Sequence, residues 1–135
     1  MKTRTTLTSV AYCVAGFVLP SALVAAEPVA YDRYYSQMYK DCNGDAETSL
    51  DRVACTSNEL NLQEGRINQA YIMVMRHLPQ PAKDALRANQ RQWVAAKDRR
   101  CTTGDLPSMG WSRSVAMRTC LIDETIKRRL QLEAM

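Results

Sequence analysis

Cys42, Cys55, Cys101 and Cys120 are the residues whose type and spacing could do the most chemistry. Thiolates can attack, bind metal or cross-link. A zinc site fits poorly, because no C-x-x-C pair is present and His77 is the sole histidine. A thiol nucleophile needs a free cysteine, whereas an even set in a short chain favours disulfides in an oxidising compartment. Cys42 shortly precedes a predicted helix that carries Cys55 about two turns in. Cys101 closes another helix, and the next one carries Cys120. In each case a short link could fold back along the helix that follows, which favours Cys42–Cys55 and Cys101–Cys120. Cys55–Cys101 with Cys42–Cys120 is the rival, since a hairpin turning at Pro79 brings Cys55 level with Cys101.

Other reactive sets are thin. Asp41-Cys42-Asn43-Gly44-Asp45 has the start of a calcium loop, but Ala46 stands where glycine is needed and Arg52 where the bidentate glutamate should be. Glu59, Glu64, Asp98 and Asp123 fall on helices, where carboxylates are mostly solvated or ion-paired. No G-x-S-x-G motif occurs. The expectation is no enzyme, no metal and no cofactor. If the domain inserts anything into a partner, the stretches 102–111 and 41–47 are the places, because function favours loops held on rigid scaffolds. Leu106, Met109 and Trp111 are the candidate partner contacts.

The N-terminus has the form of an export signal. Lys2 and Arg4 precede an uncharged, mostly apolar run from Leu7 to Leu19, and Val24-Ala25-Ala26 offers small residues for cleavage. The run is short of the ~20 apolar residues of a spanning helix. Tyr12 before Cys13 argues against lipid attachment there. Residues 1–26 are therefore expected to be a cleaved signal and 27–135 a single domain in the periplasm or outside the cell, with no stable membrane anchor. Cleavage leaves 135 − 26 = 109 residues and 5 − 1 = 4 cysteines. Lys2 and Arg4 leave too, so 18 − 2 = 16 basic residues face 14 acidic ones. That balance is too mild for a nucleic-acid partner.

The elements that position these residues are helical. Tyr31, Tyr35 and Tyr39 share one side of a short helix, and Asp41 to Glu47 reads as a loop. Thr48 with Asp51 is a helix start. Val53, Leu60, Ile67 and Val74 then recur every seven residues until Pro79 and Pro81 stop the run. Pro81 opens the next helix, whose apolar side is Ala82, Leu86, Trp93 and Ala96. Gly104 ends it. A last helix runs from about Ser112 to Leu132, with Val115, Thr119, Ile122, Ile126 and Leu130 facing inward. Trp93 reads as a core anchor and Asp98 as structural. The fold class is all-α: a small disulfide-bonded helical bundle of three longer helices plus a short N-terminal one.

Read together, the motifs resemble the LprI-like lysozyme-inhibitor family. They are Cys42, Cys55, Glu59, Ile67-Asn68-Gln69-Ala70-Tyr71, Gln90-Arg91-Gln92-Trp93, Lys97-Asp98-Arg99-Arg100-Cys101, Cys120, and Thr125 to Arg128. Departures from the pattern are Ile67 for leucine, Gln63-Glu64 for an Ala-Asp pair, and Lys97 for arginine, which loses a forked donor. The resemblance implies a helical, disulfide-bonded exported domain. It makes Tyr71, Gln90, Arg91, Trp93, Asp98, Thr125 and Arg128 motif residues, read as scaffold. The expected activity is a non-enzymatic periplasmic binding protein whose protein partner is a c-type lysozyme. An envelope-interaction, adaptor or immunity-type module is the alternative, with a cell-wall hydrolase behind both. A mild net charge gives no long-range attraction to a basic lysozyme.

Overall fold

A computed structural model of the chain describes residues 30–103 and 110–135. Among these residues every regular element is a helix. A 3-10 turn at Tyr31–Tyr34 leads to α1 (Gln37–Asp45), α2 (Ser49–His77), α3 (Gln80–Thr103) and α4 (Gly110–Glu133).

Capping chemistry in the sequence sets the helix starts. The Thr48 hydroxyl accepts from Asp51 N–H at 3.1 Å, and the Asp51 carboxylate accepts from Thr48 N–H at 2.8 Å, a reciprocal box. It launches a helix of 29 residues, about 43 Å long. α2 ends at His77, where Leu78 turns to extended backbone ahead of Pro79. Lys83 N–H donating to Pro79 O at 3.0 Å shows α3 already under way at Pro81. Gly110, which opens α4, has φ 81, a conformation that disfavours any side chain.

The N-terminal region differs from the sequence expectation. Tyr31 to Tyr39 is not one helix, and Asp41 to Glu47 is not a loop. Ser36 breaks the tyrosine segment with extended backbone, and its hydroxyl caps α1 by accepting from Tyr39 N–H at 3.0 Å. The helix then runs on through Asp45. Cys42 thus lies on a helix, as does its disulfide partner Cys55.

Disulfides join Cys42 to Cys55 and Cys101 to Cys120. Cys101 meets Cys120 while Gln90 meets Arg128, so α3 and α4 run antiparallel. Ile67 and Thr125 lie on one groove, and Leu132 packs with Val74 and Leu78, so α2 and α4 run parallel. α4 is the central element, seated mainly on α2 with α3 along its other side. α2 and α3 barely approach each other along their backbones. One core cluster gathers Ile67, Leu86 and Leu132 with half-buried Tyr71, Val74 and Trp93. Ile122 and Ile126 are fully buried on α4.

The buried stripe of α2 is mostly polar, with Thr56, Glu59 and Gln63 all at 0 % exposure. Each has a reason to be there. Thr56 Oγ1 donates to Arg52 O and Val53 O at 2.9 and 3.0 Å. Glu59 accepts from Ser36 N–H at 3.0 Å, from the Ser36 hydroxyl, and from Gln63 Nε2 at 2.7 Å. Its carboxylate therefore sits at the positive end of α1, which favours the charge. Gln63 Nε2 also donates to Tyr34 O at 3.1 Å. Beside this staple, the Tyr35 hydroxyl donates to Asp123 Oδ1 at 2.9 Å. Burial raises the Asp123 carboxyl above its ordinary value, although the Tyr35 bond opposes the shift. Burial, and then Asp123, raise the Tyr35 phenol well above the usual range.

Candidate functional site

The separation of α2 and α3 leaves a groove of about 610 Å³ between them. Glu64, Asn68 and Tyr71 form its α2 wall, at the spacing of one helical face. Arg87, Gln90, Arg91, Val94 and Lys97 form the α3 wall. Ile67, Trp93 and, from α4, Thr125 also line it.

The chemistry of this groove is mixed. Arg87 pairs with Asp84 at 2.7 Å, and Lys97 lies 3.4 Å from the largely exposed carboxylate of Asp98. The first pair is solvent-exposed; in the second Lys97 is buried but its partner carboxylate is open to water, so both carry small energetic weight. Glu64 and Arg91 make no ion pair with another described residue, and Asn68 makes no side-chain hydrogen bond with one. Gln90 is oriented from behind: its Oε1 accepts from Arg128 Nε at 2.9 Å, which leaves its Nε2 without a partner among the described residues. The second fork of Arg128 donates to Asn89 Oδ1. Burial lowers the pKa of Arg128, which remains a cation. Lys97 Nζ and Arg128 Cζ stand 5.4 and 6.0 Å from the Trp93 ring centroid, so the indole is flanked by two cations. Thr125 is 1 % exposed, and its hydroxyl has no partner within the structure. That oxygen is sealed from solvent, as are the unpartnered Gln63 Oε1 and Arg129 Nε elsewhere in the bundle.

Tyr71, Gln90, Arg91, Trp93 and Thr125, five of the motif residues, thus converge on one groove, with Arg128 bracing it. Asp98 stands apart, its side chain 58 % exposed and touching Lys97. Trp111 is 55 % exposed at the start of α4. Leu106 and Met109 lie outside the described residues. A larger trough of about 1060 Å³ flanks the buried stripe of α2 on its other side, walled by Leu62, Ala70, Met73, Val74, Leu132 and Met135. Gln69 and Ala70 are the motif positions that line it, whereas Tyr71, Gln90, Arg91, Trp93 and Thr125 gather in the smaller groove, which is therefore the candidate site.

The family comparison matches the description "Lysozyme inhibitor LprI" over residues 40–132, well over half of the 135 residues. The chain belongs to the LprI lysozyme-inhibitor family. No curated protein and no solved structure matches it. The LprI match begins in α1 and ends in the last turn of α4, so it takes in both disulfides and the whole α2–α3 groove. An inhibitor family implies a protein partner such as lysozyme and makes a catalytic role unlooked for. No helix among the described residues is long and apolar enough to cross a membrane. No group of three or more His, Cys, Asp or Glu among them could hold a metal ion.

Sequence reading alone missed several groove residues. In the sequence Glu64 reads as a solvated helix carboxylate, Asn68 stands only inside the motif segment, and Val94 has no distinguishing mark. A signal was available. Glu64, Asn68 and Tyr71 make a polar face on α2, and Gln90, Arg91, Val94 and Lys97 make one on α3. Polar faces turned toward each other across a hairpin cannot close into a dry seam.

Proposed function

We propose that this protein is exported, loses residues 1–26, and acts in the periplasm as a non-enzymatic, stoichiometric inhibitor of c-type lysozyme. The family match over residues 40–132 carries this reading. The disulfides support it, since both suit an oxidising compartment. The partner-facing surface combines the α2–α3 groove with exposed Trp111 and with Leu106 and Met109. Trp111 stands fourteen positions from Thr125 on α4, about 21 Å along the helix axis. A standard interface of roughly 800 Å² per partner can span that separation. Inhibition then means covering the substrate cleft, where lysozyme holds its pair of carboxylates.

The mature charge gives no steering toward a basic enzyme. Affinity therefore rests on short-range contacts and falls little between low and moderate salt. A cell-wall lysis assay at several inhibitor ratios, with binding measured in parallel, tests the proposal. Lysis should slow in proportion to the inhibitor added, and Trp111→Ala should weaken inhibition more than it weakens folding. No binding at micromolar excess would remove the inhibitor reading and leave an envelope-interaction module without lysozyme activity.

A further inference from the structure

We propose that a groove between the N-terminal tyrosines and α4 is a cation-binding site for an arginine side chain of a basic protein partner: the guanidinium pairs with Asp123 and Asp32 and lies against the rings of Tyr35 and Tyr39. That the arginine belongs to lysozyme rests on the inhibitor reading, whereas the chemistry of the groove does not.

The groove, of about 580 Å³, opens where Tyr31 and Asp32 of the 3-10 turn, Tyr35, and Tyr39 and Lys40 of α1 face Asp123 of α4. That volume lies within the roughly 300–1,000 Å³ of small-ligand clefts. Asp123 is a half-buried carboxylate that forms no ion pair with a described residue, and neither does Asp32. One Asp123 oxygen holds the Tyr35 hydroxyl at 2.9 Å. The other has no hydrogen-bond partner and is not sealed from solvent, so an incoming donor can reach it. Burial raises the Asp123 carboxyl, and the nearby carboxylates of Glu124 and Asp32 push it the same way. Burial, and then Glu59 and Asp123, raise the Tyr39 phenol as well. A cation placed against Asp123 relieves that repulsion.

The rings select an organic cation. Tyr35 and Tyr39 stand 4.8 Å apart, tilted by 44°. Aromatic faces attract a guanidinium, which is planar and weakly hydrated, and its fork suits a carboxylate. Calcium instead takes about 6–8 oxygen ligands, and among the described residues no carboxylate cluster could hold a metal. A sugar also stacks on tyrosine and donates to carboxylates, but its neutral hydroxyls leave the Asp123 charge uncompensated. Lys40 is the one cationic residue of the lining; it is exposed and pairs with neither carboxylate. Its charge opposes a cationic ligand, so reversing it should strengthen binding.

The test uses the full mature, oxidised protein. Asp123→Asn keeps an acceptor for the Tyr35 hydroxyl, so the fold should hold. Arg99→Glu, at an exposed position on α3, controls for the change in net charge made by Lys40→Glu. With intact c-type lysozyme, Asp123→Asn should bind at least tenfold more weakly at unchanged Tm. Lys40→Glu should bind at least twofold more tightly than Arg99→Glu. Both results together support the proposal. Lysozyme binding that lacks either one overturns it and keeps the inhibitor reading. Should Asp123→Asn lower Tm, the comparison of Lys40→Glu with Arg99→Glu decides alone. If lysozyme does not bind, the inhibitor reading falls, and a blocked Gly-Arg-Gly peptide is compared with its neutral citrulline counterpart by ¹⁵N amide shifts. Shifts at Tyr35, Tyr39 and Asp123 with the arginine peptide only, abolished by Asp123→Asn, support a site for another basic partner. No shifts at millimolar peptide, or equal shifts with citrulline or with soluble peptidoglycan fragments, overturn it.

Discussion

Replacing Glu59 by glutamine should destabilise the fold by about 2 kcal/mol, on the difference between hydrogen bonds to charged and to neutral acceptors. The side chain is fully buried and accepts from the Ser36 N–H, the Ser36 hydroxyl and the Gln63 amide. A glutamine carbonyl can keep the two donors at Oε1, the Ser36 N–H and Gln63 Nε2. Each then becomes a neutral bond, a loss of roughly 1 kcal/mol apiece. The new NH₂ replaces Oε2 and faces the Ser36 hydroxyl. That hydroxyl can turn to accept, but its own proton is then left without a partner. Losing the negative charge at the α1 N-terminus removes a further ~0.3–1 kcal/mol. Relief from burying a charge works the other way and holds the net near 2 kcal/mol. Glu59→Ala strands all three donors and opens a cavity, so its loss should be nearer 4 kcal/mol.

Thermal unfolding followed by circular dichroism measures both variants. A loss of 1 kcal/mol lowers Tm by about 4–8 °C in a domain of around 100 residues, so Glu59→Gln should fall by roughly 8–16 °C. Hydrogen exchange localises the damage. Tyr39 and Lys40 amides in α1 should exchange faster, while α3 amides change only with global stability. The Cys42–Cys55 bridge still tethers α1 to α2, so the helix loosens without leaving. A Tm within about 2 °C of wild type, well below the shift expected for 2 kcal/mol, would refute the reasoning. It would mean that the Ser36 cap holds α1 unaided.

Other consequences follow from the same geometry. Replacing Cys101 and Cys120 together by alanine should cost about 2–5 kcal/mol, read from denaturant midpoints, and a loss below 1 kcal/mol would deny the bridge a stabilising role. Trp93→Ala should destabilise by about 3 kcal/mol, the low end for a large aromatic, because Trp93 is only half-buried. If its Tm hardly moves while lysozyme binding collapses, Trp93 is a contact residue and not a core one. Stability should fall as pH rises above about 10, the ordinary tyrosine value. Above that value the unfolded chain releases the Tyr35 proton while the folded protein, with its raised phenol pKa, retains it, so alkali favours unfolding. Tyr35→Phe should flatten that decline. Absorbance titration of the wild type should show one phenol ionising only together with unfolding, and Tyr35 titrating freely in the native state would contradict this.

How much of this was legible in the sequence depends on whether an interaction is local. The capping box at Thr48 and Asp51, the stop at Pro79 and the sequence-local disulfides all join residues close in the chain, where spacing alone carries geometry. The Glu59 staple crosses 23 residues and the Tyr35–Asp123 bond crosses 88. No periodicity marks such pairs, and a carboxylate at Glu59 looks like any surface acid until Ser36 is placed over it. The groove was hidden for a different reason. Tyr71, Gln90, Trp93 and Thr125 were each identified, but a motif residue reads equally as scaffold or as site when its neighbours are unknown. Only their arrangement separates the two. Arg128 braces Gln90 and Trp93 from behind, a scaffold's work, and leaves the Gln90 amide donor on the groove side. The same motif therefore does both: its cations support the indole, and its polar residues line a groove between α2 and α3 that the chain does not fill.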